Sequence, residues 1–143
     1  MDLSGAIAGV GALIYAKNTR RFLFLLRNNS SYSGTWGLTG GKVESCETAG
    51  QALLREIKEE IGLSLDTSRI IPVDLFTSTN GKFVYNTYVV PVNEEFIPTL
   101  NDEHSGYCWC EIGSYPKPLH PGVYGTFKIE AIQTKIETAI QLV

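Results

Sequence analysis

The stretch Arg55–Glu60, REIKEE, gathers three carboxylates, and Glu44 and Glu47 stand shortly before it. On a helix, with Arg55 set at zero and about 100° per residue, Glu59 falls near 40°, Glu56 near 100° and Glu60 near 140°. Leu53, Ile57, Ile61 and Leu54 fall at about 160° to 260°, an apolar stripe suited to packing on a sheet. An acidic face therefore runs beside a core face. Glu56 has like charges at i+3 and i+4, and each exposed pair costs about 0.2–0.5 kcal/mol. Partial burial raises that cost: two charges ~5 Å apart at an effective dielectric of ~20 repel by about 3 kcal/mol. A divalent cation would remove the conflict, and hard oxygen ligands suit Mg2+ or Mn2+. A solvated acidic face is the plain alternative for EIKEE alone, so the surrounding residues decide.

The helix that presents this face is predicted over Glu47 to Ile61, with Gly62 where a helix C-terminus favours a residue without a Cβ. Ahead of it, Ala6–Ala16 reads as a buried strand that KNTR turns into FLFLLR, predicting a hairpin. The fourteen residues 28–41, NNSSYSGTWGLTGG, are predicted as a loop, and a loop that long in a compact domain is usually functional. RIIPVDLFTST and KFVYNTYVVPV read as two strands around the turn signal Asn80–Gly81. The polar loop NEEFIPTLNDEHSG leads to the strand YCWCEI, whose alternation puts Cys108 and Cys110 on one face and Trp109 on the other. GSYPKPLHPGV reads as a further loop. Phe127, Ile129, Ile132, Ile136 and Ile140 then recur at near-helical spacing, predicting one amphipathic helix from about Gly125 to Leu142.

A chain of 143 residues without internal repeat or linker predicts one mixed α/β domain over residues 1–143. Its net charge of −3, with no stripe of Lys or Arg, argues against a nucleic acid polymer as partner. A small nucleotide is not excluded, because metal ions could meet its charge. The opening MDLSGAIAGVGALIYAK lacks a basic start, and its apolar run from Gly5 to Ala16 is too short to span a bilayer, so no membrane partner is expected. The three cysteines Cys46, Cys108 and Cys110 have no zinc-like spacing, and reduced thiols in the cytoplasm are expected.

Gly41, five residues, Glu47, seven residues, then REIKEEIGL resembles the Nudix box, GX5EX7REUXEEXGU with U a bulky aliphatic residue. All nine specified positions match: Gly41, Glu47, Arg55, Glu56, Ile57, Glu59, Glu60, Gly62 and Leu63. The resemblance implies a Nudix-type α/β/α sandwich with a mixed β-sheet. It also implies metal-dependent hydrolysis, with Mg2+ or Mn2+, of the diphosphate linkage in a nucleoside diphosphate derivative. That class spans nucleoside triphosphates, ADP-ribose, nucleotide sugars and dinucleoside polyphosphates, with water attacking phosphorus. The alternative is a non-catalytic nucleotide-binding module on the same fold, against which stands the complete set of box carboxylates.

Carried onto this sequence, the family's pattern makes Glu59 and Glu60 metal ligands and Glu56 a ligand or the water-orienting base. Arg55 then fixes the array by pairing with a carboxylate, Glu47 being the candidate, and Gly62 is structural. Gly40 and Gly41 let backbone approach metal or phosphate, a carbonyl there joining the coordination shell. A further carboxylate from a later loop is common in the family; Glu103 is chosen, with Glu94, Glu95 and Asp102 as alternatives. For substrate, Arg27 is a candidate for phosphate. Trp36 or Tyr32, or Phe83, Tyr85 and Tyr88 on their strand, could stack a base. His104 and His120 receive no role. Thr39 departs from the family's usual Pro before the paired glycines, and the family's frequent homodimers make a homodimer an expectation here.

Overall fold

The computed structural model describes residues 6–28, 31–65 and 69–143, so the opening residues Met1–Gly5 lie outside the described residues. Seven strands and three helices follow in chain order: β1 (Ile7–Ala16), β2 (Arg21–Arg27), β3 (Trp36–Gly37), β4 (Thr39–Lys42), α1 (Ala49–Ile61), β5 (Ile71–Thr77), β6 (Phe83–Val92), β7 (His104–Glu111), α2 (Pro121–Phe127) and α3 (Glu130–Gln141). Alternation on the central strands splits the core in two. Val10, Ala12, Ile14, Leu23 and Leu25 face α1, while Leu13, Tyr15, Phe22 and Phe24 face α2 and α3. The result is an α/β/α sandwich around a mixed sheet of order β3-β2-β1-β6-β5, as the box resemblance implied, with β4 added to β1 and β7 to β2. None of the helices among the described residues is long and apolar enough to cross a membrane.

The β1–β2 hairpin forms but is short, and three other sequence expectations need correction. The β1–β2 hairpin is only two pairs long, Tyr15↔Phe22 and Ala16↔Arg21. Beyond that, β1 pairs in parallel with β6 and antiparallel with β4, and β2 turns to β7 and β3. The predicted loop 28–41 holds β3 and most of β4, so the paired glycines lie on a strand, not in a loop. Gly40 is paired there because any Cβ would strike the carbonyl of Val10 across the ladder. The GSYPKPLHPGV loop gives way at Pro121 to α2, which His120 caps by accepting from the Gly122 N–H at 3.0 Å. The single C-terminal helix is broken at Lys128–Ile129, so Phe127, Ile132 and Ile136 are buried but Ile129 is half exposed.

α1 forms as its sequence requires. Thr48 and Gln51 make a reciprocal capping box, and Gly62 ends the helix at φ 74°, a conformation that favours glycine. Cys108 and Cys110 do lie on the face toward α2 and α3, with Trp109 on the α1 side.

Candidate active site

The acidic face of α1 meets β4 edge-on. Exposure of its side chains follows their angle around the helix: Glu59 at 54%, Glu56 at 12% and Glu60, next to the apolar stripe, at 2%. Arg55 ties the outer part together. Its Nε and Nη2 donate to both oxygens of Glu47 at 2.8 and 3.0 Å, and Nη1 donates to Glu56 at 2.8 Å and to Glu59 at 3.3 Å. Nη2 also donates to the Lys42 carbonyl at 2.9 Å, fastening α1 to β4. The Arg55 hydrogen bonds, joined by one from the Glu44 N–H, hold the Glu47 carboxyl down at about 2. Glu47 raises Arg55 well above its usual range in return.

Glycine is required at β4 for a second reason. A Cβ on Gly41 would lie 2.5–2.8 Å from the Glu56 carboxyl group, so only glycine lets that carboxylate sit against the strand. One residue earlier, the Gly40 N–H donates to Glu60 Oε1 at 2.6 Å. Burial nevertheless pushes the Glu60 carboxyl up to about 9, the Gly40 bond opposing and a hydrogen bond with Glu103 adding to the rise. Burial also raises Glu56, against the pull of Arg55.

Glu103, chosen from the later loop, does reach this place. One oxygen each from Glu60 and Glu103 and a ring nitrogen of His104 lie within 4.8 Å of one another. His104, given no role from sequence, is buried at the start of β7. Its Nδ1 has no hydrogen-bond partner and stands 3.8 Å from Glu60 Oε2, too far for a hydrogen bond. Burial lowers its pKa. The other loop acids are elsewhere: Glu95 faces Arg21 at 3.8 Å, while Glu94 and Asp102 are exposed.

Beyond β4 opens a cleft of about 760 Å3 between the sheet and α2, bordered by Gly40, Gly41, Lys42 and Arg27 at the end next to the α1 carboxylates. Strand alternation sorts the aromatic candidates. Phe83 and Tyr85 line the cleft, stacked with centroids 6.2 Å apart, whereas Tyr88 belongs to the core beneath α1. The Tyr85 ring lies over β1, where a Cβ on Gly9 would come within 2.9 Å of it and one on Gly11 would collide with its hydroxyl. The glycines of GVG thus make room for an aromatic platform. Trp36 is not brought to the cleft: it packs with the core beneath α2 and α3, bridged to Leu119. Tyr32 sits outside too, edge-on to His120 at 4.7 Å.

Sequence reasoning missed Asp74, Phe76 and His120 in the cleft wall. Ile71 and Val73 pack toward α3, and plain alternation would continue that face at Leu75. A bulge between Pro72 and Asp74 shifts the parity and turns Asp74 and Phe76 to the cleft, opposite Thr87 and Tyr85. IPVDLFT carries no sign of that bulge.

The chain matches the NUDIX domain model over residues 6–128. It is similar to a dihydroneopterin triphosphate diphosphatase of Haemophilus influenzae, 30% identical over 112 residues, 68% of this chain and 69% of that one. It is also similar to the nucleoside triphosphatase NudI of Salmonella heidelberg, 32% identical over 59% of this chain and 67% of that one. Among solved structures, a MutT NUDIX hydrolase from Burkholderia pseudomallei superposes with a TM-score of 0.71 at 28% identity, covering 86% of this chain and 96% of the other. The MutT protein of Methanosarcina mazei Go1 gives 0.68 at 26%, covering 94% and 95%. A domain match over nearly the whole fold, added to a box whose carboxylates converge on β4, makes the chain a member of the NUDIX family and a Nudix pyrophosphohydrolase.

Proposed function

We propose that the chain hydrolyses the diphosphate linkage of a nucleoside triphosphate, or of a triphosphate on a related heterocycle, with the help of a divalent cation. The observation that carries this reading is the convergence of Glu56 and Glu60 on Gly41 and Gly40 at the mouth of the cleft. The names of the Haemophilus and Salmonella relatives favour triphosphates over the other derivatives of the class. The residues fit a cation. Glu56, Glu59, Glu60 and Glu103 offer hard oxygens, and His104 adds a buried nitrogen with no other partner. Mg2+ or Mn2+ held there would polarise phosphoryl oxygens and acidify a water.

The chain's own groups do the rest. Arg55 fixes Glu47, Glu56 and Glu59, so the ligand oxygens are set before substrate arrives. Glu103, exposed and on a loop, accepts the proton of the attacking water. The water oxygen forms a new bond to phosphorus as the bridging P–O bond breaks, and the leaving phosphate oxygen takes the electron pair. Arg27 and Lys42 border the cleft beside the paired glycines, placed to offset the negative charge of the phosphates.

Turnover of a panel of nucleoside and pterin triphosphates with Mg2+ and with Mn2+, in 18O-water, tests this reading and identifies the phosphorus attacked. Glu59→Gln and Glu60→Gln are each expected to lower kcat by about 100-fold or more. Variants turning over at the wild-type rate would sink it.

A further inference from the structure

The cleft floor is ordered across the strands. The register puts Gly40, Gly11, Thr87 and Asp74 in one line over β4, β1, β6 and β5, and Lys42, Gly9, Tyr85 and Phe76 in the next. Each line runs from β4, beside the α1 carboxylates, to the edge strand β5. Three steps of about 4.8 Å make that path about 14 Å, the reach of an extended nucleoside triphosphate. Phosphates at Gly40 and Gly41 therefore leave the sugar over β1 and β6, on the side of the Tyr85 ring, and the terminal ring system against β5.

At that far end stands Asp74. It lines the cleft half-buried, and its carboxylate has no hydrogen-bond or ion-pair partner among the described residues. It is also the only acidic side chain in the cleft wall among those residues. A ligand that covers this carboxylate displaces its water and must supply donors in return, and two adjacent N–H groups satisfy both of its oxygens at once. Guanine offers that pair at N1 and the 2-amino group, and a pterin offers the same 2-amino-4-oxopyrimidine edge. Uracil flanks its one N–H with carbonyl acceptors, and adenine and cytosine put a ring acceptor beside the amino group, so each brings lone pairs against the carboxylate.

We propose that Asp74 is the specificity residue of this cleft, and that it selects ring systems carrying a 2-amino-4-oxopyrimidine edge, laid along Tyr85, Phe83 and Phe76. The assignment rests on the proposed triphosphate reading for the direction in which the substrate lies. It is tested by equilibrium binding, separately from turnover. GMP, dGMP, IMP, AMP, UMP and neopterin monophosphate are titrated into the wild type, Asp74→Asn and Asp74→Ala.

GMP or neopterin monophosphate is expected to bind on the order of 10- to 100-fold tighter than IMP or AMP. Asp74→Asn is expected to bring them to the IMP level while AMP binds at least as well as to the wild type, which also shows that the variant is folded. The stronger of the two rings tells guanine from pterin. Equal binding of all ligands by the wild type would overturn the assignment, as would a ranking that survives Asp74→Ala. A difference between GMP and dGMP that vanishes in the variants, with GMP and IMP alike throughout, would place Asp74 on the sugar and overturn it too. Should no triphosphate be turned over while the ranking holds, the activity reading falls and the role of Asp74 stands.

Discussion

Arg55 engages Glu47, Glu56, Glu59 and the Lys42 carbonyl with one guanidinium, a set that depends on the planar fork. A lysine could reach one of these partners at a time. Arg55→Lys is therefore expected to cost about 1–3 kcal/mol of stability, read as a fall in the urea midpoint, because the Glu56 carboxylate, 12% exposed, loses its donor. The Glu47 arm has its own signature in acid. Its folded pKa is depressed from 4.5 to about 2, chiefly by Arg55. The contribution is thus present above pH 4.5 and lost as the pH falls toward 2. Melting temperatures between those limits should drop less steeply in Glu47→Gln than in the wild type. Identical slopes would show that Arg55 does not hold Glu47 in solution.

Among elements, β4 is the one on which both halves of the site depend: its glycines border the cleft, and the carboxylates of α1 come to rest on them. Gly41→Ala is expected to push the Glu56 carboxyl away and cut activity sharply, with a smaller loss of stability, because a side chain can yield where backbone cannot. Gly40→Ala meets the Val10 carbonyl instead, so thermal melting should show the larger loss there. If both variants melt and turn over alike, β4 is not packed as described. The sequence made α1 plain because its signals are local: a cap, a period of 3.6 and a terminal glycine within one short segment. It concealed β4, since Gly-Gly after Thr39 reads as a turn until β1 offers it a ladder, Gly11 opposite Gly40 and Val10 opposite Gly41. The break after Phe127 was hidden for a related reason. Ile129 keeps helical spacing with Ile132 and Ile136, and only the break between α2 and α3, which leaves it half exposed, shows that it is not core.

Across the whole molecule, the carboxylates belong to the α1 side of the sheet and the cleft to the α2 and α3 side. The first was legible in one contiguous motif. The second is assembled from β1, β5, β6 and α2, and no short window of sequence could bring Asp74, Tyr85 and His120 together. Glu60 lies where distant parts of the chain meet, bonded to Gly40 of β4 and close to Glu103 and His104 at β7, so its charge acts on global stability. Its folded pKa is raised by burial from 4.5 to about 9. Between those values the folded chain holds a proton that the unfolded chain has released. That contribution is full below pH 4.5 and is lost as the pH rises through 9. In a chelator, the melting temperature should therefore fall from pH 6 to pH 9, and Glu60→Gln should flatten the fall. On the proposed reading, Mg2+ or Mn2+ takes the proton's place on Glu60, so affinity for the cation rises over the same range and the melting temperature is restored most at high pH. Calorimetric titration in buffers of different ionisation enthalpy would count the proton released. Cation binding without proton release at pH 7, or stabilisation that Glu60→Gln leaves unchanged, would place the cation away from this carboxylate.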